Sequence, residues 1–80
     1  MKIQVLFFGI TTDFVGSSAL ELNIADVATV ADFKNSLKEK YQQLEKLNSY
    51  AIAVNESYAT DDLLLKENDV VAIIPPVSGG

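Results

Sequence analysis

The sequence predicts an α+β fold, a mixed sheet with one main helix packed across one face and an extended C-terminal tail. Three observations carry that expectation. Apolar runs near both ends, Lys2 to Phe8 and Val70 to Ile74, read as strands. Between them Val30, Phe33, Leu37, Tyr41 and Leu44 recur at helical spacing. The chain then ends in Pro75-Pro76-Val77-Ser78-Gly79-Gly80. Eighty residues make one small domain, a size at which a single core barely outweighs chain entropy, so most apolar positions are committed to packing.

In the first run Ile3, Val5 and Phe7 share one face, while Lys2, Gln4, Leu6 and Phe8 share the other. Gly9 to Ser18 carries turn residues, and Leu20, Leu22 and Ile24 then alternate with Ala19, Glu21 and Asn23, a second strand hairpinned to the first. Thr29-Val30-Ala31-Asp32 reads as a capping box with Asp in the usual Glu position, and it opens a helix that ends before Asn48-Ser49. Lys34, Asn35, Lys38, Glu39 and Gln42 fall on its polar face. Ala51 to Val54 is a short strand, Asn55-Glu56-Ser57 a turn, and Tyr58-Ala59 a brief edge strand. Asp61-Asp62 opens a loop whose Leu63 to Leu65 cover the core edge. The unbroken apolar run Val70 to Ile74 suits a central strand buried on both faces.

One helix over one mostly antiparallel sheet is stable as two layers, with the first and last strands parallel at the sheet centre. That is a β-grasp domain over residues 1–76, followed by a Gly-Gly tail over 77–80. Pro75 and Pro76 stop the last strand, because neither donates to a ladder. The two glycines remove every side chain from the end, leaving a backbone thread that fits a channel too narrow for a Cβ.

Composition narrows the chemistry. The chain has no Cys, His, Trp or Arg, which removes the usual nucleophiles, the neutral-pH base and the bidentate anion clamp. A self-sufficient enzyme is not expected. Six lysines against eleven acids give a net charge of −5, which opposes nucleic-acid binding and favours a partner with a basic surface. The N-terminal apolar run is too short to span a membrane and lacks a cleavage site, so a soluble cytoplasmic protein is expected. Asp61-Asp62 are read as solvated rather than as metal ligands, and no metal or bound cofactor is expected. Tyr41, Tyr50 and Tyr58 are read as packing residues.

The carboxylate of Gly80 is then the one reactive group. With a reference pKa of about 3.3–3.7 it is an anion at neutral pH and a poor electrophile. Another protein must activate it, and attack on ATP to form an acyl-adenylate is the plausible route, since this chain has no phosphate-binding motif of its own. The adenylated carbonyl then accepts sulfur or an amine. An apolar patch of Leu6, Phe8 and Ile74, continuing into Pro75 and Pro76, is the candidate partner-binding surface.

Val5-Leu6-Phe7-Phe8-Gly9, Thr29-Val30-Ala31-Asp32, Ala53-Val54-Asn55 and above all Pro75-Pro76-Val77-Ser78-Gly79-Gly80 make the chain resemble the small subunit of molybdopterin synthase, the MoaD family of ubiquitin-like sulfur carriers. The likeness covers essentially the whole chain. It implies a sulfur carrier in molybdenum cofactor biosynthesis, with catalytic groups on the large subunit. A ubiquitin-activator-like enzyme would use ATP to adenylate Gly80, and a sulfurtransferase system would convert it to a thiocarboxylate. Val77, Ser78, Gly79 and Gly80 would enter the active site of the large synthase subunit, in a heterotetramer of two large and two small subunits. There the sulfur would convert cyclic pyranopterin monophosphate to molybdopterin. The chain departs from the pattern at Ile10-Thr11-Thr12-Asp13-Phe14, where such sequences often carry a basic residue. The alternatives are a sulfur carrier for thiamine thiazole synthesis and a ubiquitin-like modifier that joins lysines through Gly80.

Overall fold

The structure, a computed structural model, describes residues 1–46 and 50–75. In chain order it contains β1 (Lys2–Phe7), α1 (Ile10–Val15), β2 (Ala19–Asn23), α2 (Val30–Lys40), a 3₁₀ helix (Gln42–Lys46), β3 (Ala51–Val54), β4 (Ser57–Tyr58) and β5 (Val70–Ile74). The sheet order is β2-β1-β5-β3-β4. β1 and β5 run parallel, and the other neighbours are antiparallel. This is the β-grasp arrangement expected from the order of elements.

Alternation decides which face of the sheet is covered. Ile3, Val5 and Phe7 of β1 and Val71 and Ile73 of β5 are buried, and they pack with Val30, Phe33 and Leu37 of α2 in one core. The helix starts where its capping box puts it. The Thr29 side chain accepts from the Asp32 amide at 3.2 Å, and the Asp32 carboxylate accepts from the Thr29 amide at 3.0 Å, so two otherwise orphaned donors are satisfied reciprocally.

α2 ends before Asn48-Ser49, which lie outside the described residues, but it stops already at Lys40 with Tyr41 as its C-cap, so Tyr41 and Leu44 of the helical stripe fall beyond it. Leu44 still reaches the core because the 3₁₀ turn tightens the path, while Tyr41 packs edge-on against Phe7, with ring centroids 6.4 Å apart. Three expectations are corrected. The β1–β2 connection contains a short helix, α1, where only turn residues were expected. Of Leu63 to Leu65 only Leu65 is buried; Leu63 and Leu64 are exposed. The two-residue β4 is Ser57–Tyr58, one position earlier than expected.

β5 is central, but it is buried on one face only: Val71 and Ile73 point to the core, whereas Val70, Ala72 and Ile74 are half-buried on the other side. An apolar run of this kind signals two covered faces only when something covers the second. Here the described residues leave that face open.

Candidate functional site

The strand register assembles the open face. Ala19 pairs with Leu6, Leu6 with Ala72, Ala72 with Ala53, and Ala53 with Tyr58, which makes one row across all five strands. Paired residues in a sheet project to the same side. Alanine in the two middle positions leaves the floor of the row low between larger walls. The result is a groove of about 330 Å³ lined by Leu6, Phe8, Ala53, Glu56, Tyr58, Val70, Ala72 and Ile74. The predicted contacts Leu6, Phe8 and Ile74 therefore come together, and Phe8 is 49% exposed. A larger hollow of about 420 Å³ is lined by Ile24, Val27, Asp32 and Asn35 among others. It lies at the far end of β1, where Ile24 bonds Met1, away from the chain exit. The groove, mostly apolar in its lining and not at that far end, is the better candidate.

Tyr58 was expected to be a packing residue and is not one. It is 78% exposed and forms a wall of the groove. Its place beside the two-residue turn was the available signal, because a β4 of two residues can bury little. Tyr41 and Tyr50 do pack on the other side. The Tyr50 hydroxyl is buried without a partner among the described residues, and its pKa is pushed up, first by burial and then by the Asp61 carboxylate. That carboxylate pairs with Lys34 at 2.7 Å, and Asp62 accepts from the Thr60 hydroxyl. Among the described residues no group of three or more His, Cys, Asp or Glu side chains could hold a metal.

The groove and the chain exit are neighbours. Phe7 pairs with Ile73 in the parallel ladder, so Phe8 lies next to Ile74, and Gly9 meets Pro75. A Cβ on Gly9 would stand 3.0 Å from Pro75 Cγ, and Gly9 holds φ 57° with ψ −137°, a conformation freely open only to glycine. Thr11 secures the same corner: its fully buried hydroxyl donates to the Phe8 carbonyl and accepts from the Phe8 amide at 3.0 Å. Gly9 and Thr11 thus set how Phe8 is presented and where the chain leaves the sheet. Neither role was legible in a segment read as a turn.

Gly9→Ala is therefore expected to destabilise the fold by about 1–3 kcal/mol, since it adds a forbidden backbone region to a close contact. In a domain of this size that lowers the melting temperature by at least about 5 °C. Thermal denaturation followed by circular dichroism checks it.

Pro75 is the last described residue; Pro76, Val77, Ser78, Gly79 and Gly80, all predicted site residues, lie outside the described residues. No helix among the described residues is long and apolar enough to cross a membrane.

Comparison with known proteins agrees with the fold and sharpens it. The molybdopterin synthase sulfur carrier subunit of Arabidopsis thaliana is 35% identical over 81 residues, spanning 100% of this chain and 84% of that protein. A Helicobacter pylori complex of subunits 1 and 2 of molybdopterin-converting factor contains a chain that superposes with a TM-score of 0.71 at 30% identity, covering 100% of both chains. The small archaeal modifier protein 1 of Methanosarcina acetivorans superposes with a TM-score of 0.82 at 26% identity, covering 99% of this chain and 96% of that one. The ThiS family model matches residues 5–80. With that match running from β1 through the glycine pair, on a sheet and helix arranged as in these relatives, the chain belongs to the ThiS family.

Proposed function

We propose that this chain is the sulfur carrier subunit of molybdopterin synthase, carrying sulfur as a thiocarboxylate on Gly80. The observation that carries the reading is the end-to-end likeness, at 35% identity, to a protein described by that function. The geometry supports it: an apolar groove lies beside Pro75, the last described residue, and offers a docking face there.

On this reading a ubiquitin-activator-like enzyme joins the Gly80 carboxylate to the AMP of ATP and releases pyrophosphate. Hydrosulfide-level sulfur supplied by a sulfurtransferase system then attacks the acyl carbonyl, AMP leaves, and the Gly80 thiocarboxylate remains. Val77, Ser78, Gly79 and Gly80 enter the large subunit, which supplies the catalytic groups, while Leu6, Phe8, Ile74, Pro75 and Pro76 face that subunit. Two large and two small subunits make the assembly, in the cytoplasm, and sulfur converts cyclic pyranopterin monophosphate to molybdopterin. The carrier binds no cofactor itself.

The test is intact mass spectrometry after incubation with ATP, the activating enzyme and a sulfur source. The expected result is a mass increase equal to exchange of one oxygen for sulfur, located at Gly80; the absence of cysteine leaves it few other homes. An unchanged mass would sink the reading. The likeness to an archaeal modifier protein supports a second reading, conjugation of Gly80 to lysines, and isopeptide-linked adducts in the same experiment would select it.

A further inference from the structure

We infer that Glu56 selects the partner that covers the open sheet face, its carboxylate taking a lysine or arginine of that protein. The inference rests on the proposed docking of the large subunit over the groove. Among the described residues lining it, Glu56 is the one that carries a charge. Covering the groove would draw this carboxylate out of water into apolar surroundings, and an unpaired buried ion is costly. A partner without a cation at that place is thereby rejected, which is selection by penalty as much as by attraction.

The backbone supports a role outside folding. Val54 pairs with Ser57, so Asn55 and Glu56 form a two-residue hairpin turn, with φ 51° and 73°. Such turns strongly favour Asn-Gly, because both central residues need positive φ. Asn55 suits its place and is locked there: its side-chain amide donates to Asp69 at 3.0 Å, and its oxygen accepts from the Val70 amide at 3.0 Å. Glu56 occupies the position where glycine is easiest, in a conformation that disfavours a Cβ. Among the described residues its carboxylate makes no ion pair or hydrogen bond in return. The locked turn therefore holds one acid at the end of an apolar groove.

The experiment is calorimetric titration of the full chain into the large subunit at low and moderate salt, using wild type, Glu56→Gln, Glu56→Gly and Phe8→Asp, with melting temperatures for each. Glu56→Gln is expected to weaken binding about tenfold or more and to flatten its salt dependence, because one close charge pair is lost. Glu56→Gly is expected to weaken binding as much while raising the melting temperature by about 2–5 °C, as the strained turn relaxes. Wild-type affinity and salt dependence in Glu56→Gln, with binding lost in Phe8→Asp, would overturn the role of Glu56 and leave the docking face standing. Unchanged affinity in both variants would overturn the docking face as well. A lower melting temperature for Glu56→Gly would show that the side chain serves folding, and would also overturn the inference.

Discussion

Removing Gly79 and Gly80 is expected to abolish sulfur transfer while leaving the fold as stable as before. Among the described residues the core draws on nothing after Ile73, β5 ends at Ile74, and Pro75 packs at Gly9. The melting temperature should therefore stay within about 2 °C of wild type. Activity is another matter. Two extended residues span about 7 Å, so the carboxylate of the shortened chain, now on Ser78, stops that far short of the activating and receiving sites. Displacements of only about 1 Å can cost a hundredfold. Molybdopterin formation from cyclic pyranopterin monophosphate, assayed with the large subunit, the activating enzyme and a sulfur source, should fall below about a hundredth of the wild-type rate. Retained activity would mean that the glycine pair is incidental and the chain a plain interaction module.

Phe8→Asp should abolish the complex with the large subunit without unfolding the monomer. Phe8 is half exposed and lies outside the core cluster, and the bonds that fix its position run through its backbone to Thr11, which the substitution leaves in place. In the complex, however, the ring would be an aromatic anchor within a covered groove. Truncating such anchors commonly costs 2 kcal/mol or more, and a carboxylate in their place adds a desolvation penalty. Together these correspond to at least about a hundredfold loss of affinity. Calorimetry gives the affinity, and circular dichroism confirms that the monomer is folded. An unchanged dissociation constant would remove the groove from the interface.

Legibility followed the range of the interactions. The capping box at Thr29 to Asp32 and the stripe Val30, Phe33 and Leu37 were readable because both are made within a few residues of chain. α1 was not, since Thr11, Thr12 and Val15 are poor helix formers and six residues cannot sustain a helix alone. It exists because Thr11 closes on Phe8 and because Phe14 and Val15 pack against the core. Tyr41 and Leu44 continue the helical spacing, yet they are delivered by a C-cap and a 3₁₀ turn. The open face was half legible: alternation around Gln4 exposed Leu6 and Phe8, and Ile74 followed from a parallel neighbour.

By itself the sequence determined the class of fold, the face of β1 that packs, the start of α2, and the ending from which a carrier is inferred. Periodicity, capping and the loss of side chains at a glycine pair are local properties, written in neighbouring residues. Only the tertiary structure decided that Ala53 and Ala72 floor a groove, that Tyr58 walls it, that Glu56 stands at its end, and that Gly9 must be bare beside Pro75. Each of these depends on strand register, which joins residues up to 66 positions apart in the chain, as with Leu6 and Ala72. Register is set when the whole buried face closes at once, because a one-residue slip would turn every side chain to the wrong side.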